Sequence, residues 1–312
     1  MDRMEAGSDI AKISAIKARR RRVWLPFNVA LALPAQLTVL AVVLIPTVVV
    51  IWLSLTSWQP TQGIPWYDAR LIWFHNFYRL LADPRFLSAV GRTLFLVLIC
   101  MAAEFVLALG LALLFLDDWK WKKVAVSIII LPMMVVPVDA ANSFFMLFND
   151  RGPINYLIGL VLGRPFQYAW LANPNWALVP IMLAEIWQWT PLMFLLLLTG
   201  LMNLPENQIR AAYMLGASRT RVFLRIMLPL MAPVISIALL VRSIETFKIF
   251  DPVYILTRGG PGTSTETISM YMYKEAFVNF RIGYVASAAL LVLVLVVAIC
   301  LAMARSLNRY HR

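Results

Sequence analysis

The chain has 312 residues, 61% of them hydrophobic and only 14% charged, with a mean hydropathy of +0.76, which excludes an ordinary soluble domain and indicates an integral membrane protein. The net charge of +12 would point to nucleic acid in a soluble chain; in a membrane protein the placement of the charges carries the information. Two cysteines, Cys100 and Cys300, both in apolar runs, supply neither a disulfide framework nor a CxxC site, and His75 and His311 alone give no basis for a histidine metal centre.

Residues 1–28 read as a basic N-terminal segment. Their "KARRRR" run resembles the n-region of a signal peptide, but the apolar run that follows is too long and has no small-residue cleavage site before Trp58, so a retained helix is expected. A bilayer core about 30 Å thick needs about 20 mainly apolar residues per helical span. Six segments qualify, at about 29–54, 91–116, 124–148, 177–202, 229–250 and 284–304, the third and fifth interrupted by Pro132, Pro137, Pro229 and Pro233. The expected architecture is thus all-α, with a six-helix membrane domain over 29–308 and a short tail at 309–312.

With the N-terminus inside, seventeen Lys and Arg residues fall in the inner segments and eight in the outer loops, which predicts cytoplasmic termini and accounts for the net charge with no nucleic acid as partner. The outer loops, about 55–90, 149–176 and 251–283, are rich in Trp, Tyr, Pro and Gly. Asp68, Asp83, Asn149 and Asp150 read there as solvated loop residues, and "TRGGPGTSTET" (257–267) reads as a flexible, hydroxyl-rich segment. On the inside lie one short turn, "DDWKWKK", and one long insertion, about 203–228.

In that insertion Asn203 and Pro205 mark a helix start, and Ile209, Ala212, Tyr213 and Gly216 recur at i, i+3, i+4 and i+7 on one closely approachable face. The helix should break at "GAS", where Ser218 can cap a second short helix with Val222, Phe223, Ile226 and Met227 on its apolar stripe. Two short helices joined through a glycine suit a knob that docks in a partner's groove. An interfacial amphipathic helix is the plainer alternative, and a helix-turn-helix fits only the outline, because membrane spans flank it closely.

The segment Arg210, Ala211, Ala212, Gly216, Ile226, Leu228, Pro229 resembles the EAA loop of binding-protein-dependent ABC importer permeases: Glu-Ala-Ala, three residues, Gly, nine residues, Ile-x-Leu-Pro. Every spacing is kept. The stretches "LPMMVVPVDAANSFFMLFNDRGPIN" and "FKIFDPVYILTRGGPGTSTET" are similar to the corresponding segments of the carbohydrate-uptake subfamily, of the maltose and glycerol-phosphate type. The resemblance covers about residues 25–308 and implies a multi-pass subunit of the bacterial inner membrane. Its implied partners are a second homologous permease, two ATPase subunits and a periplasmic or lipid-anchored solute-binding protein. It also implies that Arg210, Ala211, Ala212, Gly216, Ala217, Ser218 and Arg219 contact the ATPase, and that 257–267 lies near the binding-protein docking surface. No GxxxxGK[ST] motif occurs, so no cofactor is expected on this chain; ATP and Mg would sit on the ATPase. The usual glutamate is replaced by Arg210, which leaves two alternatives, a compensating acid on the partner or docking through Ala211, Ala212 and Gly216 alone.

Ionisable and polar groups within spans are costly and mark interiors or aqueous paths. The pathway candidates are Asn142, Glu185, Trp187, Gln188, Trp189, Arg242 and Glu245, with Glu104, Asp139 and Lys248 noted beside them. Trp187 and Trp189 next to Glu185 and Gln188 offer the aromatic and hydrogen-bonding surfaces that sugars use, against an aromatic belt as the bland alternative. Arg242 and Glu245, three apart on one helix, are placed to neutralise one another. An ion-coupled secondary transporter using Glu104, Asp139 or Glu185, and an intramembrane enzyme, are the competing classes.

Overall fold

The computed structural model describes residues 27–308, so the basic segment through residue 26 and the 309–312 tail lie outside the described residues. Apart from one isolated bridge between Thr56 and Leu71, the described residues form helices and loops.

Helix α1 (Phe27–Ser54) is almost wholly apolar and long enough to span a membrane. Its Pro34 and Pro46 are tolerated in an apolar helix, and its hydroxyls are satisfied locally: Thr38 donates to the Pro34 carbonyl at 2.9 Å and Thr47 to that of Val43 at 2.6 Å. Up to Trp52 the described residues form this helix alone; Leu53 begins a second compact unit that contains everything else.

In that second unit, α2 (His75–Leu81) precedes α3 (Pro84–Leu114), which begins seven residues earlier than the hydropathy pattern places it. The reason is a strong start signal that hydropathy ignores. Asp83 caps the helix by accepting from the Arg85 and Phe86 backbone N–H groups at 2.8 and 3.4 Å, with Pro84 next in line.

The third segment is not one straight span. Helices α4 (Lys122–Met134) and α5 (Pro137–Leu147) meet at 93°, across the extended residues Val135 and Val136. Pro137 cannot donate back to the preceding turn, so the helix must restart there. The freed Val135 carbonyl is taken by Gln188 Nε2 at 2.8 Å. After α6 (Pro153–Leu162) the chain enters α7 (Leu178–Met202), the most buried of the long helices.

Next come α8 (Glu206–Met214), α9 (Arg219–Val222), a wider π-type turn over Phe223–Met227 and a helical turn at Leu228–Leu230. A 64° bend at Met231 leads into α10 (Ala232–Phe247). The expected span at 229–250 thus contains this bend near its start. Helices α11 (Asp251–Leu256), α12 (Ile268–Tyr273) and α13 (Ile282–Asn308) complete the fold. Among the described residues, four helices are long and apolar enough to cross a membrane, or up to six segments if each bent pair counts as one.

Helices α3, α7 and α10 pack pairwise and form the centre of the unit. Their packing at the end nearest the 203–231 insertion uses Ala108, Ala112 and Phe115 from α3, Phe194, Leu197 and Leu201 from α7, and Met231 with Ala238. Small residues let the backbones approach: a Cβ added to Gly200 would lie 2.9 Å from a Val234 methyl. At the other end, Leu80, Phe86, Ala89, Ile268, Tyr271 and Tyr284 form a separate cluster joining α2, α3, α12 and α13.

Candidate functional site

The insertion breaks and restarts at Pro205, Gly216 and Ser218 as expected, but Asn203 does not start its first helix. Pro205 stands at the N-cap of α8, and Asn203 belongs to the end of α7, where its side-chain amide donates to the Thr199 carbonyl at 2.7 Å. Gly216 has φ +78°, the left-handed conformation that ends α8, and Ser218 Oγ accepts from the Arg221 N–H at 3.4 Å to start α9. Val222 is fully buried and anchors the element, while Ile209, Ala212 and Ala217 are half-buried. Arg210, Ala211, Gly216, Ser218 and Arg219 are exposed. So are Met214 and Leu215, each 89% exposed at the tip of the turn, and the helical periodicity of α8 passed over both. Their signal in the sequence is two large apolar residues directly before a helix-ending glycine. Arg210 pairs with Glu206 of its own helix, one turn earlier, and both side chains remain exposed.

The pathway candidates separate into two groups. Glu185, Gln188, Trp189 and Glu245 come together with Lys248 and Asp251 around a cavity of about 230 Å³. Trp187 and Asn142 stay apart from it. Trp187 is 42% exposed and packs its ring 5.7 Å from that of Phe144, and Asn142 is exposed on α5.

Behind the cavity lies an ion triad that overturns the expected Arg242–Glu245 pair. Arg242 donates through Nε and Nη2 to both oxygens of Glu104, at 2.7 and 2.8 Å, and through Nη2 to Glu185 Oε1 at 2.9 Å. Arg242 and Glu104 are fully buried, and the guanidinium lies 5.0 Å from the Trp189 ring centre. Glu245 pairs with Lys248 at 2.9 Å instead. A buried arginine in an apolar bundle takes the partners that most fully satisfy its fork, and two helices offered carboxylates at depth.

At the opposite end, the 257–267 segment is exposed at Arg258, Gly262 and Thr263, but its last three residues, Thr265, Glu266 and Thr267, are fully buried. Arg85 binds both oxygens of Glu266 at 2.7 and 2.8 Å and reaches Glu275 at 3.0 Å; Lys274 meets Glu266 at 3.0 Å. Burial pushes the Glu266 carboxyl up, but the bonds from Arg85 and Lys274 outweigh it and hold the group below the usual carboxylate range. Asp83 is likewise no free loop acid. Its Oδ2 accepts the hydroxyls of Tyr271 at 2.8 Å and Tyr284 at 3.1 Å. Burial raises its pKa, and these hydroxyls together with the helix-capping N–H bonds bring it below its ordinary value. None of these pairings shows in a one-dimensional pattern, since Arg85 and Glu266 are 181 residues apart.

Residues 80–311 match the family described as binding-protein-dependent transport system inner membrane component. The chain belongs to this family. Among its relatives, the sulfoquinovosyl glycerol transport system permease protein of Agrobacterium fabrum is 32% identical, over 87% of this chain and 86% of that protein. The trehalose/maltose transport system permease protein of Thermococcus litoralis is 31% identical, over 84% and 88%. Among solved structures, a bacterial ABC transporter involved in the import of the acidic polysaccharide alginate contains a chain that matches with TM-score 0.78 and 22% identity, over 95% of this chain and 99% of that one, which shows the shared fold. The protein is thus a multi-pass inner-membrane permease, a transport subunit rather than an enzyme, and neither competing class gains support.

Proposed function

We propose that this permease is one of two homologous, non-identical membrane subunits of an ATP-driven importer for a carbohydrate or related solute: a sugar, oligosaccharide, polyol or glycerol-phosphate-like compound. Two ATPase subunits carry ATP and Mg, and a solute-binding protein delivers cargo from the other side. The relatives' named cargoes, trehalose, maltose and sulfoquinovosyl glycerol, support the solute class.

The observation that carries the mechanism is the exposed turn Met214–Leu215–Gly216, held between two short helices in the loop that joins two membrane segments. Exposed apolar side chains on a rigid turn are what a docking groove takes up, and the Arg210–Glu206 pair leaves the apolar tip to make the contact. The excess of Lys and Arg supports a cytoplasmic position for this element and for both termini. Closure of the ATPase dimer would then push on α8 and α9 and, through Pro229 and the Met231 bend, on α10. The cavity bounded by Glu185, Gln188, Trp189 and Glu245 offers hydrogen-bonding groups and one aromatic face to a hydroxylated solute.

Affinity purification of the tagged permease in mild detergent tests this reading. Co-purification of an ATPase and a second permease, with hydrolysis that rises when one sugar-loaded binding protein is added, is the expected result. A chain that purifies alone, with residues 206–230 shielded by lipid from aqueous thiol reagents, would make the insertion an interfacial helix.

A further inference from the structure

The triad Arg242–Glu104–Glu185 ties together three particular helices. Glu185 is on α7, which leads directly into the insertion; Arg242 is on α10, which leads directly out of it; Glu104 is on α3, which packs against both. We propose that Arg242 is a positioning residue for transport: its fork locks α3, α7 and α10 into one rigid body, so that movement of the insertion reaches the cavity wall without being lost to helix sliding.

Three observations carry this. First, the apolar cluster between the triad and the insertion is built of Ala, Leu, Met and Phe contacts, which are non-directional and permit small slides. The Arg242–Glu104 pair is bidentate, and a one-residue shift would break both bonds and strand a buried charge. Second, the lock touches the cavity. Glu185 and Trp189 line it on one side and hold the Arg242 guanidinium on the other. Third, the triad is a poor way merely to stabilise a fold, since well-packed apolar residues of similar volume do that as well or better, and Arg242 Nη1 has no hydrogen-bond partner among the described residues. What a buried, directional ion network adds is a specified register.

The proposal rests on residues 206–230 docking the ATPase, and one experiment separates the two. The assembled complex carries spin labels at Leu98→Cys on α3 and Ile237→Cys on α10, both exposed, in a Cys100→Ala, Cys300→Ala background that retains ATP hydrolysis. Pulsed electron resonance compares the nucleotide-free state with the state trapped by ATP, Mg and vanadate. In the wild-type triad the label distance should stay constant to within about 2 Å, the size of an ordinary helix shift. In Arg242→Lys, which keeps the charge and loses the fork, and in the neutral triple variant Arg242→Met, Glu104→Gln, Glu185→Gln, the trapped-state distribution should widen about twofold. The triple variant is the control for stability: a merely structural role predicts that it behaves as wild type. A distance that shifts between states with the triad intact, or a triple variant with a wild-type distribution, overturns the lock alone. A wild-type complex that neither binds an ATPase nor traps nucleotide sinks the docking reading, and the lock with it.

Discussion

Gly216 shows what a single residue contributes. A side chain there would meet nothing within 4 Å, so its requirement is conformational: at φ +78° an L residue is strained by about 1–2 kcal/mol. Gly216→Val should therefore leave membrane insertion and assembly intact while it misdirects Met214 and Leu215, lowering transport per ATP hydrolysed at least several-fold in proteoliposomes. Unchanged coupling in that variant would count against the turn as the docking element. Changing Trp187 instead should leave transport near wild type, because its ring faces Phe144 and lies outside the cavity, whereas Gln188→Ala removes both a cavity contact and the partner of the Val135 carbonyl.

Between elements, small residues and capped breaks set how closely helices approach. Gly200 on α7 faces Val234, two residues into α10, and the nearest atom is a methyl at the end of a rotatable side chain. Gly200→Ala should be accommodated by a small shift of Val234, while Gly200→Leu should cost about 1–3 kcal/mol by overpacking, read as a lower melting temperature in detergent. The outer ends of α3, α12 and α13 are joined by charge instead. Asp83 and Glu266 both have pKa values held below their ordinary values of 3.8 and 4.5. A depressed carboxylate pKa stabilises the fold above the unfolded value and stops doing so as pH falls through the folded value. Thermal stability should accordingly be flat from about pH 7 to 5 and drop below about pH 4, with Asp83→Asn flattening part of that fall. An unaltered acid limb in Asp83→Asn would remove this acid from the account.

For the whole molecule, the chain is one transport subunit of a binding-protein-dependent system. Large apolar side chains are exposed on many helices, as a permease facing lipid requires. The Lys and Arg bias predicts a topology: the "DDWKWKK" turn and the 203–228 insertion should react with thiol reagents only from the cytoplasmic side, and 55–90 only from outside, after single-cysteine substitution in inside-out and right-side-out vesicles. Labelling of the insertion from outside would invert the topology and detach it from any cytoplasmic ATPase.

The sequence by itself determined the membrane class, the six apolar segments, the coupling-type punctuation at Pro205, Gly216, Ser218 and Pro229, and the family, because apolar length, proline, glycine and motif spacing are all local quantities. Only the tertiary structure decided who pairs with whom. Arg242 passes over Glu245 on its own helix for Glu104, 138 residues away, and Arg85 finds Glu266 across 181. It also decided that Thr265, Glu266 and Thr267 are buried and that the third segment bends by 93°. The physical reason is the same in each case: a buried charge or a freed carbonyl takes the partner that packing brings within about 3 Å, and packing is set by the whole bundle rather than by neighbours in the chain.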